Sequence, residues 1–495
     1  MRWNARAFQL EVVKLIQSEN RKFSLWLLAW PIFIEQFLQF LLGAADTLMV
    51  SHLSDDAVAV VGFSNQLFNA LTTLFITIAS GAGIIIAQKI GAGLHEEART
   101  TGIIGFKLTL LIGAVLSVVL IAVPGQIARI LHLPEELIPL GKTYISIVGG
   151  GMILTSLMAI LSTSIRSTGN TKVPMYIALG MNVIHIGLNF CFIFGHLGFP
   201  QIGLAGVGIS TVTSRFIACS VLFTFFLGTF SRKITVKDFK VFSGKLFKEI
   251  LDIGWPLGVN TASWFFSQLV IFSFLAMLGA KALAARTYMN TLESFCFLLG
   301  FSIAMAIQIR VAHLYGAGRT RDAYKGAFQA LATGLPLVIL NALVLVFFGK
   351  LLLGVFTQDP VILHIAESLL WLNVILQPGK MINMALGNSL IAVGDSRYTM
   401  KVALLVMWVV AVGGSYLFGV HAGFGITAVY LSMISDEYIR GIFSFIRWRQ
   451  QKRLKLREAE LVSQQAAKQE SQGPTLPTSN EVLTLEKPSA VVMMD

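Results

Sequence analysis

The chain has 495 residues, of which 55% are hydrophobic and only 13% charged, with a formal net charge of +12 and a mean hydropathy of +0.73. Soluble domains carry about 25% charged residues, so this balance excludes an ordinary globular enzyme. The basic excess is not a nucleic-acid surface either, because Lys and Arg lie between apolar runs and at both ends, where membrane topology puts them.

Residues 1–22 are too charged for a cleavable signal peptide, with Arg2, Arg6, Glu11, Lys14, Arg21 and Lys22. With Phe8, Val12, Leu15 and Ile16 on one side, they read as an amphipathic helix on the cytoplasmic surface. Beyond them, runs long enough to cross a bilayer recur near 24–48, 58–82, 103–123, 143–165, 174–195 and 203–228. A second set follows near 252–278, 285–307, 327–348, 365–388, 398–419 and 424–446. With the N-terminus inside, the inner loops hold Lys89, Arg99, Arg166, Lys172, a cluster from Arg232 to Lys248, Arg319, Arg321, Lys325, Arg397 and Lys401. The outer loops hold only Arg129, Lys142, Lys281, Arg286 and Lys350. This bias predicts an even number of spans, both termini cytoplasmic, and a multi-pass protein of a bacterial-type cytoplasmic membrane.

The organisation expected is a cytoplasmic segment (1–22), an N-lobe of six helices (23–228), a cytoplasmic linker (229–250), a C-lobe of six helices (251–446) and a tail (447–495), basic and then polar. The tail is expected to be disordered, since its Gln, Ser, Glu and Pro cannot bury a core. Cys191, Cys219 and Cys296 fall inside apolar runs without metal-ligand spacing and read as small packing residues.

The halves align at a constant shift of about 225 residues: Trp30-Pro31 with Trp255-Pro256, Leu53 with Leu278, Asn65 with Asn290, Gly91-Ala92-Gly93 with Gly316-Ala317-Gly318, and Gly169 with Gly394. Repeats with an even number of spans insert in the same orientation. The expected fold is therefore an all-α membrane protein of about twelve transmembrane helices. Its two six-helix bundles are related by a pseudo-two-fold axis along the membrane normal and enclose a cavity.

Several motifs in order carry a family resemblance: Pro31 and Gln36, Asp46-Thr47-Leu48-Met49-Val50, Gly91-Ala92-Gly93, Gly169-Asn170-Thr171 with Lys172, Gly203 to Thr211, Arg310-Val311 and Gly394-Asp395-Ser396. Over residues 25 to 446 the chain resembles the multidrug and toxic compound extrusion family. The resemblance implies a transporter rather than an enzyme. It implies a secondary antiporter that exports amphipathic, often cationic, small organic molecules by alternating access, with protons or sodium as coupling ion and no cofactor. It is expected to work as a monomer, in contact with lipid and without nucleic acid.

Asp46 stands deep in an apolar first helix, where a charge costs about 2.5–3.5 kcal/mol on insertion scales and is kept for function. The resemblance adds the fifth and sixth helices to the cation or proton site. Asn189 occupies an Asp/Asn position, His185 replaces the usual Asn, and Thr211 ends the matching segment. His185 and Asn189 are spaced i, i+4 on one helix face, and Asn182 lies one turn earlier. Asp46, Asn189 and Thr211 would supply oxygens to sodium, whereas His185 favours a proton. Glu35 is early enough in its span to snorkel toward the cytoplasm.

In the second half the positions where some family branches carry acids hold Trp264 and Lys380, which argues against a second cation site. Gln36, Glu293, Lys380, Asn383 and Trp264 are the candidate cavity residues, with Lys380 pairing with Glu293 and Arg286 two turns before Glu293. Met49, Phe68, Met289 and Phe295 are expected to add apolar lining. A lipid-linked oligosaccharide flippase would need a basic cavity, and only Lys380 and Arg310 are available. A membrane-embedded enzyme lacks any HExxH, GxSxG or P-loop motif, and a channel lacks a filter segment.

Overall fold

The computed structural model describes residues 23–195, 198–450 and 452–471. The amphipathic segment expected over 1–22 lies outside them. The described chain is helical, with no strand among the described residues. Its helices are α1 (Leu25–Ser51), α2 (Asp55–Gly91), α3 (His95–Ala122), α4 (Pro124–Ile130), α5 (Ile138–Gly150), α6 (Met152–Ser167), α7 (Lys172–Phe194) and α8 (Leu204–Leu227) in the first half. The second half holds α9 (Gly244–Met277), α10 (Ala280–Gly316), α11 (Thr320–Phe356), α12 (Pro360–Ala392), α13 (Ser396–Val406), α14 (Gly425–Arg449) and α15 (Lys452–Ser471). Helix α13 continues through two wide π-helical stretches, Met407–Gly413 and Ser415–His421, into one span. Eleven spans are long and apolar enough to cross a membrane by composition, α5 and α6 together making one of them. The twelfth, α14, carries Asp436, Glu437 and Arg440 and is correspondingly more polar.

The repeat is visible as matched bonds. Pro31 inside α1 and Pro256 inside α9 have no N–H, which leaves the carbonyl four residues earlier without its helical donor. In lipid such a group must find another partner. The Leu27 carbonyl accepts the Thr171 hydroxyl at 3.1 Å, and the Asp252 carbonyl accepts the Ser396 hydroxyl at 3.3 Å. Both proline and hydroxyl pairs sit at the repeat shift of 225.

The lobes are pressed together at the end bearing Lys89, Lys172, Arg319 and Arg397, here called the basic end. Helices α2 and α10 cross there backbone to backbone. A Cβ on Gly91 would lie 1.9 Å from the His313 carbonyl oxygen, and one on Gly316 would lie 1.9 Å from that of Gln88. These four residues are also repeat equivalents. Around the crossing, Gln88 Nε2 donates to Ala392 O at 2.7 Å, Phe23 stacks on His313 at 3.8 Å, and Lys89 reaches Glu249 at 3.3 Å. A core that includes Leu28, Ile32, Ile85, Ala312 and Leu386 backs it from both lobes.

Two expectations need correction. Residues 244–250 are the first turns of α9, not linker, with Ser243 Oγ accepting from Leu246 N at 3.4 Å. The tail expected to be disordered is helical over Lys452–Ser471. It borrows the burial it cannot supply itself. Leu454 enters the inter-lobe core, Glu458 bonds Thr320, Arg457 donates to Gly316 O at 3.4 Å, and Leu461 lies over Gly318.

Candidate functional site

The N-lobe places three sequence-picked residues together. On α7, Asn182, His185 and Asn189 follow the i, i+3, i+7 spacing that puts them on one face, against α1. Asn182 Nδ2 donates to Leu38 O at 2.9 Å and fixes the two helices. Seven residues on, Asn189 Nδ2 donates to Asp46 Oδ1 at 2.9 Å, and His185 Nε2 meets the same oxygen at 2.7 Å. The imidazole is almost completely buried, whereas the Asp46 side chain keeps 21% exposure, so the carboxylate is the more accessible member of the pair.

The other ring nitrogen continues the chain. His185 Nδ1 lies 3.2 Å from Ser214 Oγ, and that hydroxyl lies 3.0 Å from Thr211 O. Asn189 Nδ2 also lies 3.0 Å from His185 Nε2, and among the proton arrangements this geometry allows are two that matter for a relay. With a neutral ring protonated at Nε2, Ser214 turns its proton to Nδ1. With a doubly protonated ring, Nδ1 donates to Ser214, which keeps its bond to Thr211 O. Gain of one proton by the ring, with one rotation of the Ser214 hydroxyl, converts the first arrangement into the second. Arg215, which donates to Thr155 Oγ1 at 3.0 Å, and Tyr144 lie within electrostatic range of Asp46. The side-chain oxygens of Asn182 and Asn189 are buried without a partner.

Thr211 does not join the cluster through its hydroxyl, which donates back to Val207 O at 2.9 Å along its own helix. Glu35 does not snorkel. It is buried and accepts Arg166 Nη1 at 3.0 Å, because α6 brings a guanidinium beside it.

The C-lobe holds a cavity of about 860 Å³ reaching Gln66 of α2. Trp264, Lys380 and Asn383 line it, as read from the sequence; Gln36 and Glu293 are not among its lining residues. Glu293 sits behind the wall, accepting Arg286 Nη1 at 3.1 Å and the Tyr430 hydroxyl at 2.9 Å, with Lys380 Nζ at 3.6 Å. Arg286 also donates to Tyr430 Oη at 2.6 Å. Phe68 and Met289 are core residues rather than lining, because α2 and α10 turn those faces into their own lobes. Phe295 packs edge-on against Phe40 of the other lobe.

Sequence reading missed the other charged group of this cavity. On α14, Arg440 donates to Asp436 at 3.0 and 2.5 Å and reaches Glu437 Oε1 at 3.0 Å, while Asn383 Nδ2 donates to Glu437 Oε2 at 2.8 Å. The signal was present: two acids and an arginine within one turn of an apolar span. At the repeat shift, Asp46, His185 and Asn189 correspond to Ile271, Val410 and Gly414, so the N-lobe cluster has no copy in the C-lobe.

A bilayer-spanning pair of helical bundles with buried ionisable groups around a large cavity defines a polytopic membrane transporter. The MatE family model matches the chain twice, over residues 31–191 and 256–417, the two starts 225 apart. The chain belongs to this family of transporters. It is 34% identical over 435 residues to the uncharacterized transporter YisQ of Bacillus subtilis, covering 88% of this chain and 96% of that one. It is 26% identical to the probable multidrug resistance protein NorM of Thermotoga maritima, over 85% of this chain and 90% of the relative. A solved outward-facing multidrug resistance MATE family transporter has the same fold, with a TM-score of 0.80 at 20% identity, covering 88% of this chain and 96% of that one.

Proposed function

We propose that this transporter is an antiporter that exports amphipathic, often cationic, organic compounds in exchange for protons. The reading is carried by the hydrogen-bonded Asp46–His185–Asn189 group, one carboxylate with an imidazole at 2.7 Å and a serine relay behind it. A carboxylate and a ring that share a proton give a site that loads from one side and discharges to the other as the lobes rock. The largely apolar cavity of the C-lobe binds by area burial, and its charged groups orient the cargo. The positive-inside rule supports a cytoplasmic basic end, with both ends of the described chain on that side.

Sodium is the competing ion, favoured by the unpartnered buried oxygens of Asn182 and Asn189. Against it, His185 occupies one side of Asp46 with a nitrogen, where a hard cation would want oxygen. A flippase for lipid-linked diphosphates is disfavoured because Arg286 and Arg440 each face a carboxylate at close range, which leaves Lys380 alone to hold a diphosphate.

The test is dye efflux from proteoliposomes under a pH gradient or a sodium gradient, imposed separately. Asp46→Asn is expected to insert and fold normally and to lose gradient-driven efflux. Efflux at the wild-type rate in that variant removes Asp46 from coupling, and efflux driven by sodium alone replaces the proton.

A further inference from the structure

We infer that the C-lobe cavity reads its cargo at two charges: Lys380 receives an anionic group and Glu437 a cationic one. The preferred cargo is then an amphiphile carrying both. The inference rests on the reading of the chain as an exporter of small amphiphiles, and it adds the residues that set selectivity.

The argument is a charge ledger in a low-dielectric wall. One group holds two cations, Arg286 and Lys380, against a single carboxylate, Glu293. The other holds two carboxylates, Asp436 and Glu437, against a single guanidinium, Arg440. A purely structural ion-pair network would close to neutrality at each place, since an excess buried charge costs several kcal/mol. Here one positive charge is left over in the first group and one negative charge in the second.

Geometry says which residue carries each excess. Glu293 is already held by Arg286 at 3.1 Å and by the Tyr430 hydroxyl at 2.9 Å, whereas Lys380 stands off at 3.6 Å. Both line the cavity, but the Lys380 side chain is 18% exposed against 3% for Arg286. In the other group Arg440 is forked onto Asp436, and one Glu437 oxygen has only the neutral amide of Asn383 at 2.8 Å. Glu437 is the more exposed of the two acids, 13% against 6%. Lys380 and Asn383 stand one turn apart on α12, so a single helix face presents the cation and holds the anion in place. Trp264, Phe272, Phe297 and Met384 line the same cavity and offer apolar contact for a ring system.

The experiment is equilibrium binding to the purified full-length protein in lipid nanodiscs, without any gradient, by fluorescence polarisation. Two probes share one xanthene scaffold: rhodamine B carries a cationic ring system and a free carboxylate, and its ethyl ester keeps only the cation. Wild type is expected to prefer rhodamine B by roughly tenfold, the worth of one hydrogen bond to a charged group. Lys380→Gln should abolish that preference by weakening the free acid alone, and Lys380→Arg should retain it, which separates recognition from misfolding. Glu437→Gln should weaken both dyes. Equal affinity for the two dyes in wild type, or Lys380→Gln weakening both alike, overturns the inference while leaving antiport standing. A wild-type protein that binds neither dye overturns the exporter reading as well.

Discussion

Gly91→Ala tests whether the backbone crossing of α2 and α10 is as tight as the geometry states. The added Cβ would sit 1.9 Å from the His313 carbonyl oxygen, and 2.8 Å from the carbonyl carbon. An ordinary carbon–oxygen contact is about 3.4 Å, so the two backbones must part by about 1.5 Å. Neither contact is a flexible side chain, so nothing can rotate away. Overpacking of this kind costs about 1–3 kcal/mol. If the lobes separate at the basic end during transport, that cost falls only on the closed state and moves its population about 5- to 150-fold toward opening. The assay is disulfide formation between cysteines introduced at Ala92 and Ala317, the residues just after the crossing, with the native cysteines removed. Gly91→Ala should lower the crosslinking yield with little loss of Tm. Gly316→Ala should do the same from the other side, and the double variant should add less than the sum, because the first substitution has already parted the helices. Unchanged crosslinking together with unchanged Tm would refute the tight crossing. A large loss of Tm with unchanged crosslinking would refute its role as a moving contact.

Other outcomes follow from individual contacts. Truncation after Gln450 removes Leu454 and Arg457 from the crossing and should lower Tm and raise thiol reactivity at position 317. Arg286→Ala leaves the buried Glu293 with only Tyr430 and the more distant Lys380, and should cost about 3 kcal/mol in thermal unfolding, part of it recovered by adding Glu293→Gln. In the linker, Asp238 accepts from the Thr235 backbone N–H and hydroxyl, with Arg99 and Arg232 close by. These bonds, the backbone one foremost, hold its carboxyl down to about 2 from 3.8. A depressed value means fewer protons bound in the folded form, so the contribution is complete above the ordinary carboxylate value and fades as pH falls toward about 2. Amide exchange across 235–241 should therefore be slow at neutral pH in the wild type, faster in Asp238→Asn, and should accelerate in the wild type only under strongly acid conditions, after correction for intrinsic rates.

Much of the architecture was legible because bilayers impose simple rules. A hydrocarbon core demands spans of fixed length, and a duplicated chain keeps its shift, so the twelve helices and the 225-residue repeat could be read directly. Local spacing also revealed part of the site. His185 and Asn189 at i, i+4 and Arg286 and Glu293 at i, i+7 must share helix faces, and the fold brings the first pair to Asp46 and joins the second at 3.1 Å. What was not legible is what depends on which helix lies beside which. Glu35 and Arg166 are 131 residues apart in sequence, and their buried ion pair exists only because the fold brings the end of α6 within side-chain reach of α1. Asp436, Glu437 and Arg440 stand together on one helix in the sequence, but only the placing of α12 and the cavity against them gives them a site. The polar tail gains a helix only from surface that α10 and α11 expose. Sequence alone determined how many helices cross and which faces carry charge. Tertiary structure decided which charges cancel and which remain, because neutralisation needs atoms within about 4 Å and no one-dimensional spacing supplies that between distant helices.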